Sequence, residues 1–531
     1  MDFLTVDGHV SSSTSERAGD GGSEDLEVDN SKSVLHKIAT LYAEQLMSDL
    51  TLEVGGSCYS AHRLILCASS EVFQVMLMNR EWSEWRESRI ILQETPTAAA
   101  VFPQFLKYFY TGQIKISYQS VLPVLSLADK YNVKDLVVLC LSFMLEHAAQ
   151  AARRGCLISW MQYTLACGHD HVAKACQNFV KWNLEWVWGE QELAALEGDA
   201  LLALLQQSDL VLANEMTLYS FVERWLGKQR ERLNVSDLSE HEKKVHWDSL
   251  VTAVFSHVRF PMMCPNQLAK LLLSPLTQEH KEFFMERMAI AMSYQSGQFE
   301  RVHEIQQSES GRLLFTPRLY TDDIWGSVLP VDNFHSLQSY HTRTFIFSTR
   351  DSIGDVTQDH LLEWTLDLYP KGVWFKKSML IGLNGTYDIP EVVLRTVRIS
   401  LTCQNVPEPE SDDEWEPGPE ADVRVKIGIL VWGVQNGVEH VSSVLERVHR
   451  FSAQNRVCNI DNALDFDQLN TPLYVPPAPA HCTGHYKGSC TKCVETSDVS
   501  EPRHLLGPNR DQLRIQVVIV PLTDYCEVAD A

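Results

Sequence analysis

Polar and apolar residues alternate through Ser48-Asp49-Leu50-Thr51-Leu52-Glu53-Val54, which predicts a half-buried strand. Gly55-Gly56-Ser57 follows as a hairpin turn signal. A short strand is expected at Arg89–Leu92. Before this block, Val34, Ile38, Leu41, Tyr42 and Leu46 fall at helical spacing. After it, helices are expected at Ala98–Tyr110, Val121–Lys130 and Val133–Ala148. A small sheet edged by helices is an α+β arrangement.

From about 151 to 293 the pattern is helical throughout, with Ile158, Met161 and Leu165, then Val172, Cys176 and Val180, three and four apart. Beyond about 300 the period changes to two. Thr344–Phe347, Leu362–Tyr369, Ser378–Leu383, Leu394–Leu401, Val423–Trp432 and Leu513–Val520 read as strands, and Asn384-Gly385 as a hairpin turn. Short strands with frequent turns suggest a β-sandwich. Two insertions interrupt it, an acidic Pro-rich stretch at 406–421 and an irregular one at 470–510. The boundaries are therefore a disordered acidic tail at 1–31, an α+β domain at 32–150, an all-α domain at 151–295 and an all-β domain at 296–531.

Composition narrows the function. The chain of 531 residues carries a formal net charge of -24, which argues against a nucleic-acid partner. No run of about 18 apolar residues stands out, so no membrane span is expected. The N-terminus lacks a basic region and an apolar core of signal-peptide length. Most of the thirteen cysteines read as buried thiols of a reducing compartment, cytoplasmic or nuclear. The sequons at Asn234 and Asn384 would then stay unmodified; a secreted glycoprotein is the contrary reading.

Catalytic signatures are missing. There is no phosphate-binding glycine loop and no G-x-S-x-G elbow. His241 and His246 are five positions apart, off one helical face, and His169-Asp170-His171 reads as a helix start. One constellation resembles a metal site: Cys482, His485, Cys490 and Cys493, two short-spaced ligand pairs as tetrahedral Zn²⁺ requires. A chance Cys-rich turn competes with that reading. A four-ligand zinc would be structural; no other cofactor is expected.

Several motifs carry a family resemblance. Asp49 before the first strand, Ala61-His62-Arg63 after the hairpin, Phe109-Tyr110-Thr111-Gly112 and Ala128-Asp129-Lys130-Tyr131 resemble the BTB/POZ domain. Cys156-Leu157, Asn214-Glu215, Trp225-Leu226 and Val258-Arg259-Phe260-Pro261 resemble the BACK domain. No repeat of about 50 residues follows, so kelch blades are not expected. Instead Trp364–Tyr369 with Pro370-Lys371-Gly372 resembles a stretch of MATH (TRAF-like) domains.

The resemblance to BTB–BACK adaptors implies a homodimer and a cullin-3 RING ubiquitin ligase. The BTB domain would bind the cullin and the C-terminal domain a protein substrate. It assigns Asp49, His62 and Arg63 to the dimer interface. It assigns Trp82, Ser83 and Glu84 to the cullin, with Trp85-Arg86-Glu87 as a second register, Tyr131 flanking, and the contact extended by Ala151 to Tyr163. For each dimer residue a local structural role competes. Trp82 or Trp85 could instead tuck against the helix at Val72–Met78. A BTB scaffold outside any ligase, in signalling, trafficking or transcription, is the alternative function.

Overall fold

The computed structural model describes residues 29–353, 361–374, 381–382, 385–386, 394–406, 422–470 and 504–522. The chain forms two compact units, one of residues up to Lys115 with Ser126–Val133, the other of Ile116–Leu125 with the remainder from Lys134.

In the first unit, α1 (Ser31–Ala43) leads to β1 (Leu50–Val54) and β2 (Ser57–Ala61). Then follow α2 (Arg63–Ser69), α3 (Glu71–Met78), β3 (Arg89–Leu92), α4 (Pro96–Thr111) and, later, α5 (Val121–Lys130). The sheet order is β2-β1-β3, with β2 antiparallel and β3 parallel to β1. The alternation in β1 buries Leu50, Leu52 and Val54 on one face, as its period requires. Gly55 and Gly56 both take positive φ at the turn, which their missing Cβ permits. Helix α4 starts with Thr95 accepting from the Ala98 N–H, has Pro at its first turn, and ends on Gly112 in the left-handed region.

The second unit opens with α6 (Lys134–Arg153), α7 (Leu157–Ala166), α8 (Asp170–Trp182), α9 (Glu190–Ala195) and α10 (Gly198–Gln206). A two-residue strand β4 (Val211–Leu212) precedes α11 (Glu215–Val235) and α12 (Glu240–Phe255). Five shorter helices occupy the chain between 265 and 314. Helix α6 crosses the expected boundary at 150, and helices run past the one at 295. Helix α6 is also long and apolar enough, at mean hydropathy 1.3, to cross a membrane by length and composition. The sequence alone predicts no such span. The helix buries Leu136, Cys140, Met144 and Ala148 against the protein.

The all-β part comprises β5 (Leu319–Tyr320), β6 (Gly326–Val331), β7 (Arg343–Arg350), β8 (Leu361–Tyr369), β9 (Ile381–Gly382), β10 (Gly385–Thr386) and β11 (Arg398–Cys403). It continues through β12 (Val423–Gln435), β13 (Val438–Phe451), β14 (Val457–Ile460), β15 (Leu505–Leu506) and β16 (Gln512–Pro521). One sheet runs β14-β11-β8-β7; the other runs β13-β12-β16-β15, with β6 also on β16. Trp364, Leu366, Ile399, Leu401, Ile427, Ile429, Ile515 and Val517 fill the space between the sheets.

The outer face of the second sheet is buried as well, because the helices cover it. Lys426, Leu430, Val518 and Val520 lie there, all buried. That double burial explains the near-continuous apolar runs in β12 and β16. Gly428 leaves room on that face for Leu319: a Cβ there would stand 2.5 Å from Leu319 Cδ2 and displace that side chain. Strand β4 pairs in parallel with β5, joining helical and β parts within this one unit. The expected strand at 394–401 begins only at Arg398. Strand β13 was not expected: Val441, Val444, Leu445 and Val448 repeat at helical spacing, and the register shifts where Val431 and Trp432 meet it.

Candidate functional site

Helix α3 begins on Ser70, whose Oγ accepts from the Phe73 N–H at 3.1 Å and donates to the Tyr131 carbonyl at 2.5 Å. Phe73, Met76 and Leu77 face inward, so Val72, Val75 and Met78 form an exposed apolar stripe. The chain then leaves the helix at Asn79. Trp82 N–H bonds to the Asn79 carbonyl at 3.2 Å, and Ser83–Trp85 make a single 3₁₀ turn. This turn presents the expected cullin motif. Trp82 is 49% exposed, four residues beyond Met78 at the end of the stripe's helix. Ser83 Oγ donates to Glu84 Oε2 at 2.7 Å, and that bond holds the Glu84 carboxyl below its ordinary range. Trp85 is half-buried and flanked by the guanidinium groups of Arg80 and Arg86, 5.6 and 4.8 Å from its centroid.

Tyr131, expected at the edge of this surface, is placed inside instead. It is 2% exposed and stacked on Phe73 at 4.5 Å, and its hydroxyl donates to Glu94 at 2.6 Å. Burial, with the Glu94 bond, pushes its phenol far up. Its ring supports α3 from behind, so it cannot itself be a contact residue without leaving the core.

The three residues expected at a dimer interface are engaged within the unit. Asp49 accepts from the Arg63 backbone N–H at 2.9 Å, capping the start of α2. His62 Nε2 lies 2.7 Å from the Leu46 carbonyl, which can only accept, so Nε2 carries the proton. Nδ1 then accepts from the Tyr110 hydroxyl at 3.0 Å, and that oxygen accepts from the His62 backbone N–H at 3.0 Å. The Arg63 guanidinium donates to the carbonyls of Leu77 and Trp85, each at 3.3 Å, and of Glu87. Arg63 thus braces the loop that carries Trp82. Exposed apolar groups of the first unit include Leu64, beside Arg63, and Val34 and Leu35 on α1, which has no buried residue. Of these, Leu35 stands outside the helically spaced set Val34, Ile38, Leu41 and Tyr42 in the sequence.

In the second unit, the motifs at Asn214-Glu215 and Val258-Arg259 prove to be parts of one buried network. Glu215 accepts from Arg318 Nε at 2.9 Å, the Tyr320 hydroxyl at 2.9 Å and the Arg259 N–H at 3.2 Å. The Arg259 guanidinium donates to the carbonyls of Thr316 and Gln207 and to Ser208 Oγ. Burial, then the neighbouring Arg318, lowers the Arg259 pKa to about 9. Glu192 accepts from the Leu157 and Ile158 N–H groups at 2.8 and 3.0 Å, and burial raises its pKa to about 7. Ala151 and Ala152, in the stretch expected to extend the cullin contact, are buried, as are Leu157, Ile158, Trp160 and Met161. The candidate zinc ligands Cys482, His485, Cys490 and Cys493 lie outside the described residues. Among the described residues no cluster of His, Cys, Asp or Glu could hold a metal ion.

Three family models match the chain, one after another. The BTB/POZ domain matches residues 39–148, the "BTB And C-terminal Kelch" (BACK) domain 157–273, and a domain described as "BTBD17 TRAF domain" 315–523. BTB/POZ domain-containing protein 17 of Xenopus laevis is 28% identical over 58% of this chain and 62% of its own length. The Homo sapiens protein of that name is 28% identical over 62% of this chain and 65% of its own. Galectin-3-binding protein of Mus musculus is 23% identical over 58% of this chain and half of its own, 50%. The chain therefore spans less than two thirds of the length of these relatives.

Proposed function

Starting from a chain that carries a BTB/POZ domain, a BACK domain and a BTBD17 TRAF domain in that order, we propose that it is a non-catalytic substrate adaptor of a cullin-3 RING ubiquitin ligase. The observation that carries this reading is Trp82. A large aromatic half exposed two residues before Glu84, just after a helix that leaves Val75 and Met78 exposed, has the form of an interface anchor. The turn is rigidly held by Arg63, so little ordering entropy is lost when a partner covers it.

In this reading a second copy of the chain covers α1 and Leu64, making a homodimer. Helices α6–α12 form the arm, and the sandwich selects the protein substrate. The adaptor forms and breaks no bond; it raises the effective concentration of substrate beside the ubiquitin-loaded enzyme, and a dimer adds avidity. The site of action in this reading is cytoplasmic or nuclear. Light scattering of the full chain mixed with the cullin-3 N-terminal domain tests the reading. A complex of two chains and two cullins is expected; a monomeric chain that captures no cullin would refute it.

A further inference from the structure

A strand at the border of a sheet offers a row of unpaired N–H and C=O groups, and folded chains guard such borders. Among the described residues the two sheets of the sandwich have four borders: β13, β15 with β6, β14, and β7. Three are guarded. On β13, both backbone groups of Val441 are taken by the Asn183 side chain. Strand β15 is two residues long. Beside it, β6 turns Gly326, Val328 and Pro330 away from β16, because Ile519 N–H bonds to the Trp325 carbonyl. Pro330 has no N–H to offer there. Strand β14 has four residues, and its outward Asn459 carbonyl accepts from Arg447 Nη1 at 2.9 Å.

The border at β7 is open. Its eight residues include no proline. Arg350 N–H bonds to the Ile324 carbonyl, so the even-numbered residues of β7 turn their backbone away from β8. Thr344, Ile346 and Ser348 therefore point N–H and C=O outward, and among the described residues these groups meet no partner. Ile346 is 78% exposed, between the exposed Thr344 and Ser348. Phe345 and Phe347 lie at the rim of the core, only partly buried.

Two copies of this strand fit one another. Set antiparallel with Ile346 opposite Ile346, Thr344 falls opposite Ser348 and Phe345 opposite Phe347. The outward backbone groups then meet and make about six hydrogen bonds. Each exposed isoleucine covers the other, and the phenylalanines carry the core across the seam. The charges agree as well. Arg343 comes diagonally across from Asp351, and both are exposed with no ion pair among the described residues. A shift of one residue would lose the backbone bonds, and a shift of two would part the isoleucines.

We infer that the β7 edge pairs with the same edge of a second copy of this chain, antiparallel about Ile346, to make one sheet continuous across two sandwiches. So short a seam buries less than the roughly 1,200 Å² of a stable complex, so the association is weak and reversible. It is separate from the homodimer proposed above, which uses α1 and Leu64. A chain with two such two-fold contacts continues from copy to copy.

Sedimentation velocity of the full chain tests this. Between about 1 and about 200 µM the wild type is expected to shift from its smallest species toward species of about twice that mass or more. Ile346→Lys sets a charge in the seam, as guarded edges do, and should raise the dissociation constant roughly 10-fold or more. Arg343→Asp and Asp351→Arg should each weaken the association about 5-fold, and the two together should restore it. These positions sit at opposite ends of β7 within one copy, so restoration reports contact between copies. Unchanged thermal melts will show that the exposed substitutions leave the fold intact. Leu64→Glu, on the surface of the other contact, should leave the concentration dependence in place. A single species throughout the range, as an edge kept for another protein's strand would give, overturns the inference. So does a concentration dependence that Ile346→Lys leaves untouched, that Leu64→Glu abolishes, or that the combined variant fails to regain.

Discussion

The carboxylate of Asp49 accepts the backbone N–H of Arg63 at 2.9 Å, and the guanidinium of Arg63 in turn ties down the carbonyls of Leu77, Trp85 and Glu87. The start of β1 is thereby linked through α2 to the turn that presents Trp82. Two residues that the family resemblance placed at a dimer interface are, inside one protomer, the support of the proposed cullin motif.

That link makes Arg63→Ala a long-reach variant. It leaves Trp82 in the sequence but removes three hydrogen bonds, two of them to the loop that carries it. Stability should fall by about 1–3 kcal/mol. Amide exchange at 80–88 should accelerate more than exchange in β1. Uniform protection across both segments would show that the guanidinium does not brace the loop. Asp49→Ala should cost less, about 1 kcal/mol, as a lost helix cap does.

Glu192 gives a pH signature. Its folded pKa is raised, from 4.5 to about 7, mainly by burial. The folded chain therefore holds a proton that the unfolded chain releases between these values. The sign follows: this group's contribution is largest below 4.5 and is lost as pH rises toward 7, by roughly 3 kcal/mol in all. Urea denaturation of wild type and Glu192→Gln should show the wild type losing ground to the variant across that window. Parallel stability curves would contradict the shift.

Arg318 and Glu215 are both wholly buried, and each depends on the other. Arg318→Met leaves Glu215 charged in the interior, with only the Tyr320 hydroxyl and the Arg259 N–H as donors. Such a break costs about 3–5 kcal/mol. Because the pair bridges α11 and the segment at β5, helical and β signals should melt together in wild type and earlier in the variant, as followed by circular dichroism. An unchanged midpoint would show the pair to be energetically neutral.

Asn183 offers a smaller test of the same joint. Its side-chain amide accepts from the Val441 N–H at 2.7 Å and donates to the Val441 carbonyl at 2.9 Å, acting as one residue of an added strand. Asn183→Ala strands both backbone groups and should cost about 1–3 kcal/mol in chemical denaturation. Asn183→Asp should cost at least as much, because it sets a buried carboxylate oxygen against the carbonyls of Val441 and Phe179.

Much of this was legible in the sequence where one face of an element is buried. The alternation in β1 and β8 and the Gly55-Gly56 turn appear as expected, and the motifs around Glu215 and Arg259 mark the helical domain. Strand β13 was not legible, because its apolar residues repeat at helical spacing and a bulge breaks its alternation. Burial of Tyr131 was equally hidden: the same Ala-Asp-Lys-Tyr ending fits a surface or a core ring, and only the stack on Phe73 decides. The role of Arg63 was missed because its acceptors are backbone carbonyls, which leave no trace in residue identity.

The central claim is that Trp82 anchors a cullin. Calorimetric titration of the full chain with the cullin-3 N-terminal domain, for wild type, Trp82→Ala and Glu84→Lys, tests it most directly. Wild-type binding is expected, with a loss of about 2 kcal/mol or more, roughly 30-fold, in Trp82→Ala and an unchanged melting temperature because the ring is half exposed. Wild-type binding that Trp82→Ala and Glu84→Lys leave intact, or no binding by the wild type, would contradict it.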